Sequence, residues 1–152
     1  MIEKIEQNMN IARVTVNKVL DRYGVAAELF GALGEHGLNI ELISTSSTGR
    51  GRADISFAVM RSDLDQVVTL LEKIKGKFGG QVVVVDENCA LITIYGTKLA
   101  TTPGVAGRIF KALSENGINI DMISASLSVI SVVIAKDQVT TAISAIKKEF
   151  PA

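Results

Sequence analysis

The sequence contains no tryptophan, one cysteine, one histidine and two prolines in 152 residues. A lone cysteine, Cys89, rules out an internal disulfide. With a single histidine beside it, there is neither a Cys/His catalytic pair nor a set of ligands at zinc spacing. Aromatic residues are scarce, at 5%. The core must therefore be built from Val, Ile, Leu and Ala, a composition suited to sheets covered by helices. Excess charge is missing too, because 16 basic residues balance 16 acidic ones. A nucleic-acid binder needs a basic face to displace phosphate counterions, and none is visible, so no nucleic-acid partner is expected. The densest basic stretch, Lys73 to Lys77, reads as a solvated helix end. No apolar run is long enough to cross a bilayer, and Met1 to Glu6 lacks the apolar run of a signal peptide. The expectation is a cytoplasmic chain with no membrane partner.

What is present is a repeat, a feature that decides the fold when it is found. Residues 24–46 run GVAAELFGALGEHGLNIELISTS, and residues 104–126 run GVAGRIFKALSENGINIDMISAS. Somewhat more than half of these positions are identical, too many for chance. Each copy parses alike. A first strand, Ala12 to Val19 or Ala90 to Tyr95, alternates β-branched residues. A loop follows, Leu20 to Tyr23 or Gly96 to Pro103. A helix comes next, Val25 to Glu35 or Val105 to Asn116. Its apolar face is Ala26, Leu29, Phe30 and Leu33, matched by Ala106, Ile109, Phe110 and Leu113. Gly37 and Gly117 stop these helices. A second strand runs Asn39 to Ser44 or Asn119 to Ser124, and a third Ala53 to Val59 or Val129 to Ile134. In copy one the turn between them is Thr48 to Arg52. A second helix spans Leu64 to Ile74 or Val139 to Lys148, with Asp63 and Asp137 placed as N-caps. Copy one ends in a strand, Gln81 to Val85. Copy two lacks that strand, while Ile2 to Glu6 is a spare strand at the front of the chain. The economical assembly gives Ile2 to Glu6 to copy two. The expected fold is thus α+β: two βαββαβ units of ferredoxin-like form, antiparallel sheets with helices on one face. Residues 8–88 form the first unit, and residues 89–152, completed by residues 2–6, form the second. Units of about 70 residues bury modest cores and are expected to pack together or oligomerise.

The loop Asp21 to Ala26 is the candidate binding site. A glycine before a helix lets a ligand approach the backbone, and the free N–H groups of the first turn favour an anion. An α-carboxylate fits there, with Asp21 facing an α-ammonium; the bland alternative is that Asp21 merely caps the helix. The matching loop, Thr101 to Gly104, has no carboxylate, which argues against a second, equivalent site. His36 sits in the last turn of the first helix, and Asn116 fills its place in copy two, so a catalytic role does not fit. Cys89 reads as a small apolar residue. Lys77-Phe-Gly-Gly80 lies between a helix and a strand, the wrong context for a nucleotide motif, and Gly49 and Gly51 form a turn rather than a phosphate loop. An enzyme of this fold would need a convergent nucleophile, base or anion-clamping arginine, and no such set is found.

Asp21-Arg-Tyr-Gly-Val-Ala, Thr102-Pro-Gly-Val-Ala, Gly117-Ile-Asn-Ile-Asp-Met-Ile-Ser and Ile130-Ser-Val-Val-Ile together resemble the tandem ACT-domain regulatory region of aspartate kinase. The resemblance covers nearly the whole chain, including the N-terminal strand that joins the second ACT unit in that family. It implies an allosteric regulatory chain, either a separate subunit or an excised C-terminal portion, with no catalytic site and no cofactor. It further implies feedback control by lysine or threonine, and an aspartate kinase catalytic domain or subunit as partner. A homodimer is expected on separate grounds: the units are small, and the apolar strands Gln81 to Val85 and Ile130 to Ile134 have edges that are a liability if exposed. By the same resemblance the effector is held by Asp21, Tyr23, Gly24, Val25, Ala26 and Thr45, and by Asn119 and Ile120 of a partner unit. Two positions depart from the family pattern: Tyr23 stands where a proline is usual, and Thr45 where a glutamine is usual. The alternative within binding modules is a free-standing tandem ACT sensor acting on a different partner.

Overall fold

The computed structural model describes residues 1–99 and 101–151. Ala100, inside the loop expected at Gly96 to Pro103, and Ala152, at the end of the second unit, lie outside the described residues. The chain divides into two compact units, Asn10–Glu87 and Met1–Met9 with Asn88–Ala152.

In the unit Asn10–Glu87 the elements are β2 (Ile11–Leu20), α1 (Val25–Glu35), β3 (Ile40–Gly49), β4 (Arg52–Met60), α2 (Leu64–Ile74) and β5 (Val83–Asp86), with β1 (Lys4–Asn8) preceding them in the other unit. The sheet order is β3-β4-β2-β5, and every pairing is antiparallel. Alternate residues of the two central strands, Ala12, Val14 and Val16 with Ile55, Phe57 and Val59, face the helices. They pack against Val25, Leu29 and Leu33 of α1 and Leu64, Val67 and Leu71 of α2. Phe57 meets the edge of Phe30 at 5.4 Å between centroids, an arrangement favoured by the ring quadrupoles. Of the four residues assigned to the apolar face of α1, Leu29 and Leu33 are buried and Phe30 half-buried, whereas Ala26 is exposed and Val25 takes its place.

In the other unit the elements are β1, β6 (Cys89–Tyr95), α3 (Val105–Glu115), β7 (Met122–Ala125), β8 (Val129–Ala135) and α4 (Val139–Glu149). The order is β1-β6-β8-β7. The N-terminal strand pairs antiparallel with β6, Lys4 opposite Tyr95 and Asn8 opposite Leu91. It starts two residues later than the segment Ile2 to Glu6, although Glu3 N–H still donates to Tyr95 O at 2.8 Å. Ala90, Ile92 and Ile94 face Ile109, Leu113, Ala142 and Ile146 in a core that also takes in Ile2, Ile5 and Met9. Cys89 opens β6 and is fully buried.

Both first helices end alike. Gly37 and Gly117 are left-handed, and the amides of Leu38 and Ile118 reach back to the carbonyls of Leu33 and Leu113, closing a Schellman turn. The preceding residues add the same bond from unlike side chains: His36 Nδ1 lies 2.9 Å from Ala32 O, and Asn116 Nδ2 donates to Ala112 O at 2.8 Å.

Several expected details are corrected. Asp63 and Asp137 do not cap their helices with a side-chain bond. A 3-10 turn runs into each helix, Arg61–Asp63 and Lys136–Gln138, so Asp63 is already helical in ψ and Gln138 rather than Asp137 precedes α4. The second strand of copy one extends to Gly49, and its turn shrinks to Arg50-Gly51. Both of those residues have positive φ, as a two-residue hairpin demands. The second strand of copy two starts only at Met122, because Asn119 Nδ2 turns onto Asp121 Oδ1 at 3.2 Å and Asp121 alone opens the pairing to Val133. The last strand of copy one is Val83–Asp86.

Candidate functional site

The loop between β2 and α1 owes its position to the end of β2. Leu20 is the last paired residue of the strand, opposite Arg52. Asp21 N–H then donates to Gly51 O at 2.8 Å, which ties the start of the loop to the β3–β4 hairpin. Arg22 and Tyr23 form an exposed turn, and Tyr23 stands wholly in solvent. Gly24 follows with φ 84°, and Glu28 N–H bonds its carbonyl at 2.9 Å, making it the N-cap of α1. A residue with a Cβ would be strained there, although no atom lies near enough to clash.

No side chain caps α1. Asp21 therefore does not serve as a cap of α1. Val25 N–H makes only a long bond to Arg22 O at 3.5 Å, so the first-turn amides around Val25 and Ala26 can still turn to an anion, while Val25's own side chain is buried in the core. The Asp21 side chain, four residues before Val25, is exposed. Asp21, Arg22 and Tyr23 line an open cleft of about 440 Å³. One loop thus presents backbone donors and a carboxylate, the two halves of a zwitterion's complement.

Thr45 lies on β3 opposite Ile55. Ile55 faces the helices, so Thr45 projects on that same side, at the uncovered edge of the sheet, and is exposed. β3 and β2 both run toward the hairpin end, which places Thr45 on the half of the sheet that carries the Asp21 loop. Asn119 and Ile120 belong to the other unit. They lie just ahead of β7, Asn119 exposed and Ile120 half-buried against its own core. In that unit Gly104 repeats the left-handed entry to α3, with φ 82° and no side-chain cap. Its preceding loop carries Thr101, Thr102 and Pro103 where the first copy has an aspartate.

Sequence reading missed Lys18, Arg52 and Asp54, which shape the strand leading into the Asp21 loop. The only signal was a break in alternation at Asn17-Lys18. No group of three or more metal-ligating side chains occurs among the described residues, and no helix there is long and apolar enough to cross a membrane.

Family models for the ACT domain match residues 7–76 and residues 92–150. The chain is 35% identical to an aspartokinase of Helicobacter pylori over 88% of its length and 33% of that protein. It is 31% identical to an aspartate kinase of Stutzerimonas stutzeri over 99% of its length and 36% of that protein. The chain thus spans about a third of the length of the curated relatives it matches. Among solved structures it superposes on a chain of the aspartokinase alpha and beta subunits with a TM-score of 0.93 and 30% identity, covering 100% of both chains. It also superposes on the ligand-free regulatory subunit of aspartate kinase from Thermus thermophilus with a TM-score of 0.91 and 27% identity, covering 99% of both. With an ACT domain in each unit and an end-to-end match to a regulatory subunit, this chain belongs to the aspartate kinase family as its two-ACT allosteric regulatory part, with no catalytic domain in these 152 residues.

Proposed function

We propose that the chain senses lysine or threonine and passes the occupancy of its site to an aspartate kinase catalytic domain or subunit. The effector's α-carboxylate meets the N–H groups around Gly24, Val25 and Ala26, and its α-ammonium meets Asp21. Tyr23 and Thr45 border the side chain. Asn119 and Ile120, supplied by a second chain of a homodimer, close the site through polar groups of the main chain and side chain. The observation that carries this reading is the uncapped α1 terminus preceded by an exposed Asp21 that does no capping work. A site completed by a second chain would make occupancy alter an interface, which is what coupling to a distant partner requires.

The test is calorimetric titration of the purified chain with lysine and with threonine, alongside Asp21→Ala. A charge-assisted hydrogen bond contributes about 1.5–3 kcal/mol, so the substitution should weaken binding about tenfold or more. Absence of binding by either amino acid at millimolar concentration, or an unchanged affinity in Asp21→Ala, would overturn the site. A pull-down of an aspartate kinase catalytic domain by the chain tests the coupling.

A further inference from the structure

The two ACT units differ at the strand that enters each loop, and the difference falls on the candidate effector site. In the pairing of β6 with β8 the register is unbroken from Cys89–Ala135 to Tyr95–Val129. In the pairing of β2 with β4 it shifts between Val16 and Val19. Asn17 and Lys18 together oppose the single residue Asp54, a one-residue bulge in which Lys18 takes φ 59°, a left-handed conformation that costs a lysine free energy. Two side chains of β4 hold it there. Asp54 Oδ1 accepts the Lys18 N–H at 2.9 Å, and Arg52 Nη1 donates to Lys18 O at 3.2 Å. The same Arg52 nitrogen donates to Gly79 O at 3.2 Å, at the end of the 3-10 turn Lys75–Phe78 that follows α2. A side chain at Gly79 would run into the guanidinium.

The fold does not need this device. The second unit makes the same hairpin contact, Gly96 N–H to Ser128 O, with a straight strand. There Val129 and Ser131 stand where Arg52 and Asp54 stand, as the pairings with Tyr95 and Thr93 show. The bulge, its arginine and its aspartate occur in the unit whose loop carries Asp21, and Asp21 lies three residues beyond Lys18. Two residues after the bulge, Leu20 pairs directly with Arg52, so the clamp sets where the chain leaves the sheet.

We infer that Arg52 and Asp54 are positioning residues for the effector loop: by holding the Lys18 bulge they fix the height and direction at which Asp21 and the α1 amides meet the amino acid. This rests on the site proposed above. Neither side chain needs to touch the ligand.

The experiment titrates lysine and threonine into the wild-type chain and into Arg52→Met, Arg52→Lys, Asp54→Ala and Asp21→Ala, with thermal unfolding of each. Arg52→Met keeps the aliphatic stem but loses both carbonyl bonds. It should weaken effector binding about tenfold, the scale of one misplaced charge-assisted contact, while Tm stays within a few degrees of wild type. Arg52→Lys, which restores a donor to the two carbonyls, should recover part of the loss. Asp54→Ala should resemble Arg52→Met and gives the same answer if that variant fails to fold. If wild type binds and Asp21→Ala weakens binding, but Arg52→Met and Asp54→Ala bind as wild type does, the positioning role is overturned and the site stands. If wild type does not bind, or Asp21→Ala binds unchanged, the site itself falls, and this inference falls with it.

Discussion

At Gly24 and Tyr23 the proposed effector loop separates into geometry and chemistry. Gly24 is left-handed and faces open space, so Gly24→Ala brings backbone strain and no clash. It should cost about 1–2 kcal/mol in urea unfolding. Tyr23 is fully exposed, so Tyr23→Ala should change stability by less than about 0.5 kcal/mol. A large stability loss in Tyr23→Ala would mean that the ring packs on something within the chain. A different residue-scale effect sits on β1. The Glu6 carboxyl is held below its ordinary range, first by a hydrogen bond from the Lys4 ammonium and then by one from the Tyr95 hydroxyl. Lys4 is raised in turn, chiefly by its hydrogen bond to Glu6. A depressed carboxylate adds stability above its unfolded pKa, and that contribution is lost as the pH falls through its folded value. The raised ammonium adds stability below its unfolded value, lost as the pH climbs through the folded one. Both groups are exposed, so salt should screen the effect. An NMR titration should find Glu6 below the usual carboxylate range, moving back up in Tyr95→Phe and at high salt. A Glu6 that titrates normally at low salt would show that the cluster does not persist in solution.

At the scale of elements, the helices were the most legible part of the sequence. Val25–Glu35 and Val105–Glu115 show apolar spacing bounded by a glycine at each end, and both glycines have positive φ because the turn requires it. The strands were legible where one face is buried. β3 was not, because Ser44 to Gly49 are exposed along an edge and a Ser/Thr tract wet on both faces shows no alternation. The aspartates before α2 and α4 misled for another reason: capping depends on an extended backbone at that position, and the 3-10 turns are invisible to composition. The loop of the proposed site was half legible. Asp21 and Gly24 announce themselves by residue type, whereas the Lys18 bulge depends on Arg52 and Asp54, which are distant in sequence and silent as a motif. The β1–β6 pairing yields a prediction at this scale. β1 covers one side of β6, so removing residues 1–8 turns β6 into an edge strand. Hydrogen exchange on that truncated chain should show β6 amides losing protection, while β2, flanked by β4 and β5, keeps its own. Equal loss in β2 and β6 would contradict it.

At the scale of the whole molecule, the proposed homodimer can be argued from where the sheets stop. The sequence suggested two apolar strands with troublesome edges, residues 81–85 and residues 130–134. β8 is excluded, since β6 and β7 flank it and its backbone groups are paired on both sides. β5 remains: it pairs with β2 on one side only. Its neighbourhood exposes Val82 at 52%, Val84 at 46% and Val85 at 37%. A valine-rich strand with one open edge invites pairing with another chain, and proteins usually block such edges with charge or proline. The strand itself has neither before Asp86. Val84 is the informative position, because its side chain lies opposite Thr15 on the face away from the helices and contributes nothing to the core. Val84→Lys should therefore leave the fold and Tm of the unit nearly unchanged, as an exposed substitution does, while placing a charge in any sheet-to-sheet or edge-to-edge contact. Light scattering at micromolar concentration should find a dimer for the wild-type chain and a shift toward monomer for Val84→Lys. Because Asn119 and Ile120 are proposed to reach the effector from a second chain, the same substitution should weaken lysine or threonine binding even though Val84 is not among the effector-loop residues. A wild-type monomer would sink the assembly. A Val84→Lys dimer that binds as tightly as wild type would move the interface away from β5.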